Sequence, residues 1–261
     1  MRGTYIGRDR MLVDVAYGGM LIVPSEDFSL MPILTTTGVL EAPLTKFFLA
    51  QVKPGHTIVD IGANVGYFTV LAAKLVGAKG RVIGYEANPH TFRVLQDNLA
   101  LNWLTDQEII LRNEAAYSEN THITFHASAK FVGDSSIYER PASDNYVDEV
   151  TSIQVPGVRL DDALRRVEKI NLLKIDIEGG EFHAFTGMMD MIRSRKIERI
   201  AFEWNKIMLG ADAPKFASIL REIQDSCGGV LHVLNDEGFP SPVSLEALEQ
   251  VPWYPFAVIE F

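Results

Sequence analysis

The sequence predicts an α/β protein with a mostly parallel seven-strand sheet, helices on both faces and an antiparallel C-terminal edge. Three observations carry this. From residue 57 onward, short β-branched runs alternate with helix-patterned stretches. The first run, Thr57-Ile-Val-Asp-Ile61, suits a strand buried on both faces, and it leads through glycines into a helix start. Two strand patterns close the chain at 229–234 and 254–261 with only a short loop between them, an ending unlike a plain dinucleotide fold.

The elements follow in order. Residues 1–54 form a preface, with short strands at 11–15 and 20–23 around the Gly18-Gly19 turn and a helix over 44–51. Pro54-Gly55 breaks that helix before the core, and residues 55–261 form the main domain. Strand 57–61 precedes helix 65–76. Strand 81–86 precedes helix 89–101, where Asn88 is a good N-cap and Pro89 sits in the first turn. A strand covers 108–112. Strand-like pieces at 123–125 and 152–156 flank a polar, irregular insertion, 127–150, expected on the substrate side. A helix over 159–167, a strand over 171–177, a helix over 181–191, a strand over 197–203 and a helix over 214–225 complete the alternation.

Composition bounds the function. At 261 residues, 47% hydrophobic and 22% charged, the chain can build one sizeable core. The net charge of −10 argues against nucleic-acid or anionic-membrane partners. A single cysteine, Cys227, rules out an intrachain disulfide framework and fits a cytoplasmic setting. The first ten residues lack the apolar core of a signal peptide, and no apolar run approaches the ~20 residues of a membrane span.

The chemistry starts at Asp60-Ile-Gly62-Ala63-Asn64-Val-Gly66-Tyr67-Phe68. Glycines here remove side chains where backbone turns sharply, and the following helix aims its free N–H groups back at the turn. Dinucleotide folds favour G-x-G-x-x-G, whereas this turn reads G-x-N-x-G behind an acid. An acid at the strand end suits a cationic ligand and would repel a pyrophosphate. The next strand ends in Glu86-Ala87, about 20 residues beyond the turn, a distance typical of an acid that accepts from ribose hydroxyls. The first turn looks like motif I of class I methyltransferases, which bind S-adenosylmethionine (SAM).

A further run, Leu172-Leu-Lys174-Ile-Asp176-Ile-Glu178-Gly-Gly-Glu181, follows. With the glycine turn it resembles the FkbM-type methyltransferases. Asp134-Ser-Ser-Ile137, Arg159-Leu-Asp-Asp162, Phe202-Glu203 and Gly38-Val-Leu-Glu41 agree, so the resemblance covers about 38–205. It implies a Rossmann-like class I fold and SAM-dependent O-methylation, in a family whose acceptors include polyketide hydroxyls and sugars in glycans.

Ligands of open α/β sheets sit beyond the carboxyl ends of the strands, which places Asp60, Glu86, Asp176, Glu178 and Glu203 along one rim. Asp60, Gly62, Ala63, Asn64, Gly66, Tyr67 and Phe68 are assigned to the methionine part of SAM, and Glu86 with Ala87 to the ribose. Asn113, Glu114 and Ala115 are assigned to the adenine, and Glu41 to the SAM carboxyl end or the substrate. Asp176 or Glu178 is expected to act as general base or to bind the SAM amino group, with Lys174 pairing to a carboxylate. His183 and Glu203 are further candidate bases. Trp204, Phe131, Tyr138 and Tyr146 are candidates for the acceptor wall or for core and loop anchors. Asp176, Glu178 and Glu203 would suit Mg²⁺, but the expectation is a site without metal.

The expected reaction is in-line displacement of the SAM methyl onto a hydroxyl of a small molecule or glycan. N-methylation, a protein or RNA target, or a non-catalytic SAM- or NAD-binding module are the alternatives. The run after Asp176 differs from the Asn-Pro-Pro-Tyr type motif of amine enzymes, and a third glycine for NAD is missing.

Overall fold

The computed structural model describes residues 2–104, 108–139 and 148–261. The preface holds β1 (Gly3–Gly7), β2 (Arg10–Asp14), β3 (Met20–Pro24), α1 (Met31–Thr37) and α2 (Ala42–Gln51). The expected hairpin is present, and β1 adds a third antiparallel strand through a turn at Arg8 and Asp9, both left-handed. The alternating section follows as β4 (Thr57–Ile61), α3 (Tyr67–Val76), β5 (Arg81–Tyr85), α4 (Pro89–Leu101) and β6 (Glu108–Arg112). A separate small sheet interrupts it, made of β7 (Ala115–Ala116), β8 (Thr121–Ser128) and β9 (Val150–Val158) in the order β7-β9-β8. Then come α5 (Leu160–Ala163), β10 (Leu172–Ile175), α6 (Glu181–Thr186), α7 (Met189–Arg193), β11 (Arg199–Asn205), α8 (Lys206–Leu209) and α9 (Ala213–Cys227). The chain closes with β12 (Val230–Leu234), β13 (Pro240–Pro242), α10 (Leu245–Gln250) and β14 (Trp253–Glu260).

The main sheet runs β13-β12-β14-β11-β10-β4-β5-β6. The five strands from β11 to β6 are parallel, and β14 is antiparallel to both β11 and β12. Seven strands match the expectation. The eighth, β13, lies with α10 in what the sequence suggested was a short loop. Its prolines suit this position, where the outer side of the strand has no neighbour in the sheet to bond.

Each face of the sheet has its own core. Val59, Ile83, Leu173 and Ile200 pack with Phe185, Phe216 and Leu220 of α6 and α9. Ile58, Val82 and Leu172 pack with Phe48, Phe68 and Leu71 of α2 and α3, together with preface residues such as Val13 and Leu21. Strand alternation puts Asp60 and Lys174 on this second face.

Two helices are shorter than their patterns suggested. The expected helix 159–167 keeps only α5. The expected helix 181–191 breaks into α6 and α7 at Gly187, where a Cβ would meet the Tyr117 carbonyl oxygen at 2.1 Å. Asp161 secures the restart, because its carboxylate accepts from the Met191 N–H at 2.9 Å and the Asp190 N–H at 3.3 Å. Among the described residues, no helix is long and apolar enough to cross a membrane.

Candidate active site

The carboxyl ends of β4, β5, β10 and β11 open into a cleft with two compartments. A narrow crevice of about 60 Å³ runs past Glu86, Ala87, Glu114, Ala115 and Phe125. A chamber of about 420 Å³ is walled by Glu41, Tyr67, Phe68, Lys174, Glu203, Trp253 and Phe256, among others. Gly62, Asn64, Gly133, Asp176 and Glu178 line both and so mark the junction.

The glycine turn shapes the crevice. Gly62 has φ +75°, and a Cβ there would lie 1.9 Å from the Asp176 carbonyl oxygen, so only glycine fits. The Asn64 N–H donates to Glu86 Oε2 and the Asn88 N–H to Glu86 Oε1, both at 2.8 Å. These bonds fix the carboxyl plane and leave each oxygen a lone pair toward the crevice. Burial pushes the Glu86 pKa up to about 7, even though both N–H groups favour the charged form.

The rim is built around the buried ammonium of Lys174. Lys174 sits directly beside Asp60 in the parallel register, with Nζ 3.4 Å from Asp60 Oδ1 and 3.6 Å from Asp176 Oδ2. Burial works against its charge, but Asp60, Asp176 and Glu41 outweigh that and hold its pKa above the ordinary value.

Acids dominate the rest of the chamber. Burial, then repulsion from Asp176, raises Glu41 to about 8, Glu178 to about 10 and Glu203 to about 7. Behind them lies fully buried Glu181, raised to about 8 mainly by burial, whose Oε1 accepts from the Ile177 N–H at 3.2 Å. Glu203 Oε1 accepts from the Trp253 indole N–H, while Oε2 is buried with no hydrogen-bond partner among the described residues. One carboxylate oxygen each from Asp176, Glu178 and Glu203 lies within 4.8 Å of the others, a donor set whose chemistry suits a divalent cation.

Backbone strain gathers here as well. Glu41 (φ 44°), Asn64 (φ 51°) and Glu178 (φ 52°) are left-handed non-glycine residues, and all three line the cleft. Each such conformation costs on the order of 1–3 kcal/mol and persists only where the surroundings enforce it. The Ser136 hydroxyl donates to the Glu178 carbonyl at 2.7 Å and helps enforce that turn. Glu178 thus reaches the cleft through a turn after β10 ends at Ile175, rather than through the strand alternation expected from its spacing.

Several expected site residues lie elsewhere. Asp60 is fully buried behind the wall, where it accepts from the Thr69 hydroxyl at 2.6 Å and faces Lys174. Gly66 gives α3 room against Leu95, which a Cβ would meet at 2.5 Å, and does not line the cleft. Asn113 donates to the Glu86 and Ala87 carbonyls at 2.8 and 3.1 Å, so it braces the β5 loop instead of facing a ligand. His183 is outside both compartments. It stacks on Tyr117 with centroids 4.2 Å apart, bonds Ser118 at 3.0 Å and faces Asp212 at 3.6 Å. The break at Gly187 keeps α6 short, and the neighbouring strand end takes up this side chain. Trp204 is core, donating to the Val251 carbonyl at 3.2 Å. Phe131 packs on Phe28, Tyr138 bonds Asp212, and Tyr146 lies outside the described residues.

Other wall residues had no signal of their own in the sequence: Ser29 and Leu30 from the preface, Gly133 from the insertion, and Trp253 and Phe256 from β14. Asp134 had one, the Asp-Ser-Ser piece, and it too lines the chamber.

The cleft fits SAM. It offers a glycine cradle that a Cβ would fill, a fixed carboxyl for the ribose diol, small apolar walls for a ring, and carboxylates for a cationic end. Fold and cleft place the domain in the Rossmann-like, SAM-dependent methyltransferase class. The model of the methyltransferase FkbM domain matches residues 60–231, and the chain belongs to that family. It is 26% identical to the 31-O-demethyl-FK506 methyltransferase FkbM of Streptomyces tacrolimicus, over 72% of this chain and 74% of that one. It is 27% identical to Methyltransferase 1 of Beauveria bassiana over 51% of this chain. The chain covers 58% of the length of the Beauveria protein and 63% of Methyltransferase sdnD of Sordaria araneosa. A SAM-dependent methyltransferase from Agrobacterium tumefaciens shares the fold, with TM-score 0.52 at 11% identity, over 98% of this chain and 71% of that one.

Proposed function

We propose that this protein methylates a hydroxyl of a small-molecule acceptor of sugar or polyketide type. The observation that carries the reading is the chamber: the carboxyls of Asp176 and Glu178 stand at its junction with the cofactor crevice, and aromatic and apolar side chains line the rest of its wall. When bound, SAM supplies an activated methyl group. The chain positions the acceptor, keeps water out and takes up the hydroxyl proton.

Asp176 accepts that proton and Lys174 holds it in place, while Glu178, raised to about 10, keeps its own proton at neutral pH and serves as base only once it is ionised. Trp253 and Phe256 offer faces for an acceptor ring. In this reading residues 1–54 act as a cap, since Ser29, Leu30 and Glu41 line the chamber, and the 127–150 insertion contributes its roof at Gly133 and Asp134.

The test is transfer of radiolabelled methyl from SAM to a panel of sugars and polyketide alcohols, with product analysis. An O-methyl product is expected, and Asp176→Asn should lower turnover about 100-fold while still binding S-adenosylhomocysteine. An N-methyl product would overturn the acceptor atom assigned here. Full activity in both Asp176→Asn and Glu178→Gln would remove the proposed base.

A further inference from the structure

The main sheet ends differently on its two sides. At one edge, β13 has prolines at both ends, and neither offers an N–H to a further strand. At the other edge, β6 reads Glu108-Ile-Ile-Leu-Arg112 without proline, and no described strand lies beyond it. The ladder to β5 says which of its backbone groups are unused. The Glu108 N–H donates to the Gly80 carbonyl at 3.3 Å, and the Arg112 carbonyl accepts from the Glu86 N–H at 3.0 Å. Alternation therefore turns the backbone groups of Glu108, Ile110 and Arg112 toward β5, and those of Ile109 and Leu111 outward.

The side chains add an independent observation. Glu108 and Arg112 stand exposed at the two ends of the strand, with half-buried Ile110 midway between them on the same face. Arg81 donates to Glu108 Oε2 at 2.7 Å, which leaves Oε1 for another donor. Acid, apolar centre and base form a pattern complementary to its own reverse. Beside the strand is a hollow of about 380 Å³ lined by Ile83, Ile110, Leu164 and Val167, where α5 stops at Ala163 and leaves this end of the sheet uncovered.

We propose that β6 is the seam of a homodimer, in which a second copy of the chain adds its own β6 antiparallel to this one about a twofold axis at Ile110. Outward backbone groups must meet across the seam, so Ile109 faces Ile109, Leu111 faces Leu111, or Ile109 faces Leu111. Only the last register pairs the whole strand. Each Ile109–Leu111 pair then exchanges both its N–H···O=C bonds, Ile110 lies opposite Ile110, and Glu108 lies opposite Arg112 at both ends. Hydrogen bonding and charge choose the same register. The axis stands perpendicular to the sheet, so the hollows of the two copies open on one face with the paired Ile110 side chains between them. The seam is separate from the cleft and does not depend on the acceptor assigned above.

The test is sedimentation velocity of the full chain over a range of concentrations. One strand pair with its flanking side chains is a small interface, so the dimer should dissociate with a constant of about 10–100 µM. Arg112→Glu and Glu108→Lys each set like charges across both ends of the seam, and each alone should weaken self-association about tenfold or more. Mixed in equal amounts, the two variants have opposite charges at both ends and should associate as the wild type does. Melting curves identify a variant that fails to fold. Ile109→Pro then replaces it, because it removes an outward N–H and no bond to β5, and it should weaken self-association as well. A wild type that stays monomeric up to about 1 mM overturns the proposal. Association that the substitutions leave at wild-type strength places the contact on another face and overturns the seam. A mixture of folded charge variants that stays monomeric overturns the register.

Discussion

The crevice takes Gly62, Asn64, Glu86, Ala87 and Glu114 from three successive strand ends between residues 57 and 115. The chamber wall collects Ser29, Glu41, Gly133, Glu203 and Trp253 from five separated stretches. In the crevice, backbone groups hold a lining side chain, as the Asn64 and Asn88 N–H groups hold Glu86. In the chamber, side chains hold one another, as Trp253 holds Glu203. The strand-end floor of the crevice is fixed by local turns, whereas its far wall at Gly133, Asp176 and Glu178 and the chamber depend on the finished tertiary fold. The two should therefore fail differently when altered.

The most severe break is Gly62→Ala. Its Cβ would strike the Asp176 carbonyl at 1.9 Å from a left-handed backbone, and that carbonyl cannot rotate away as a side chain would. The expected cost is about 3 kcal/mol or more, with loss of S-adenosylhomocysteine binding, read by thermal melting and calorimetry. Next comes Glu86→Gln. An amide can present only one oxygen to the Asn64 and Asn88 N–H groups, and its NH₂ then opposes a donor. S-adenosylhomocysteine affinity should fall roughly 10- to 100-fold with little change in acceptor KM.

Trp253→Ala probes the other half. Acceptor KM should rise about tenfold while S-adenosylhomocysteine affinity stays within about twofold. Equal damage to both would show that the two halves are one mechanical unit, and the contrast would collapse.

The smallest effect is on stability against pH, and it too separates the halves. Glu86 is raised to about 7 in the crevice. In and behind the chamber, Glu203 is raised to about 7, Glu41 and Glu181 to about 8 and Glu178 to about 10. Each holds its proton more tightly folded than unfolded. The stability this contributes is full below the ordinary carboxyl value of about 4.5 and is lost as pH rises through the folded value. The melting temperature of the ligand-free protein should thus fall steadily from about pH 5 to about pH 10. Glu203→Gln should flatten the part of that fall up to about pH 7. A melting temperature that rises over this range would contradict the assigned directions.

The same contrast explains what the sequence made legible. Thr57–Ile61 has the bounds its β-branched run predicted, because a strand buried on both faces needs little beyond composition, and the partly exposed edge strand Glu108–Arg112 also has its expected bounds. The crevice could be read because a glycine turn and a strand-end acid are set by local chemistry. Trp253 could not, since it reaches the cleft only because β14 inserts between β11 and β12, a pairing between distant residues. His183 was misplaced for a related reason. Its position in the chain is near the rim, but Gly187 and Tyr117 decide where its side chain goes. Asp60 shows a third kind of gap: the motif led to the strand end beside the cleft, but the side chain is buried behind Thr69 and Lys174 and braces the wall instead of lining it.

The contact of Gly62 with the Asp176 carbonyl has an evolutionary reading. With the bond from the Asp176 N–H to the Ile61 carbonyl at 3.1 Å, it ties two backbone segments together, so the spacing between the glycine cradle and Asp176 does not depend on which side chains surround them. The segments that face the acceptor can be lengthened, shortened or exchanged without detuning that spacing. If residues 1–54 cap the acceptor as proposed, chimaeras that swap this segment between relatives should redirect the acceptor while leaving S-adenosylhomocysteine affinity unchanged, measured by product analysis and calorimetry.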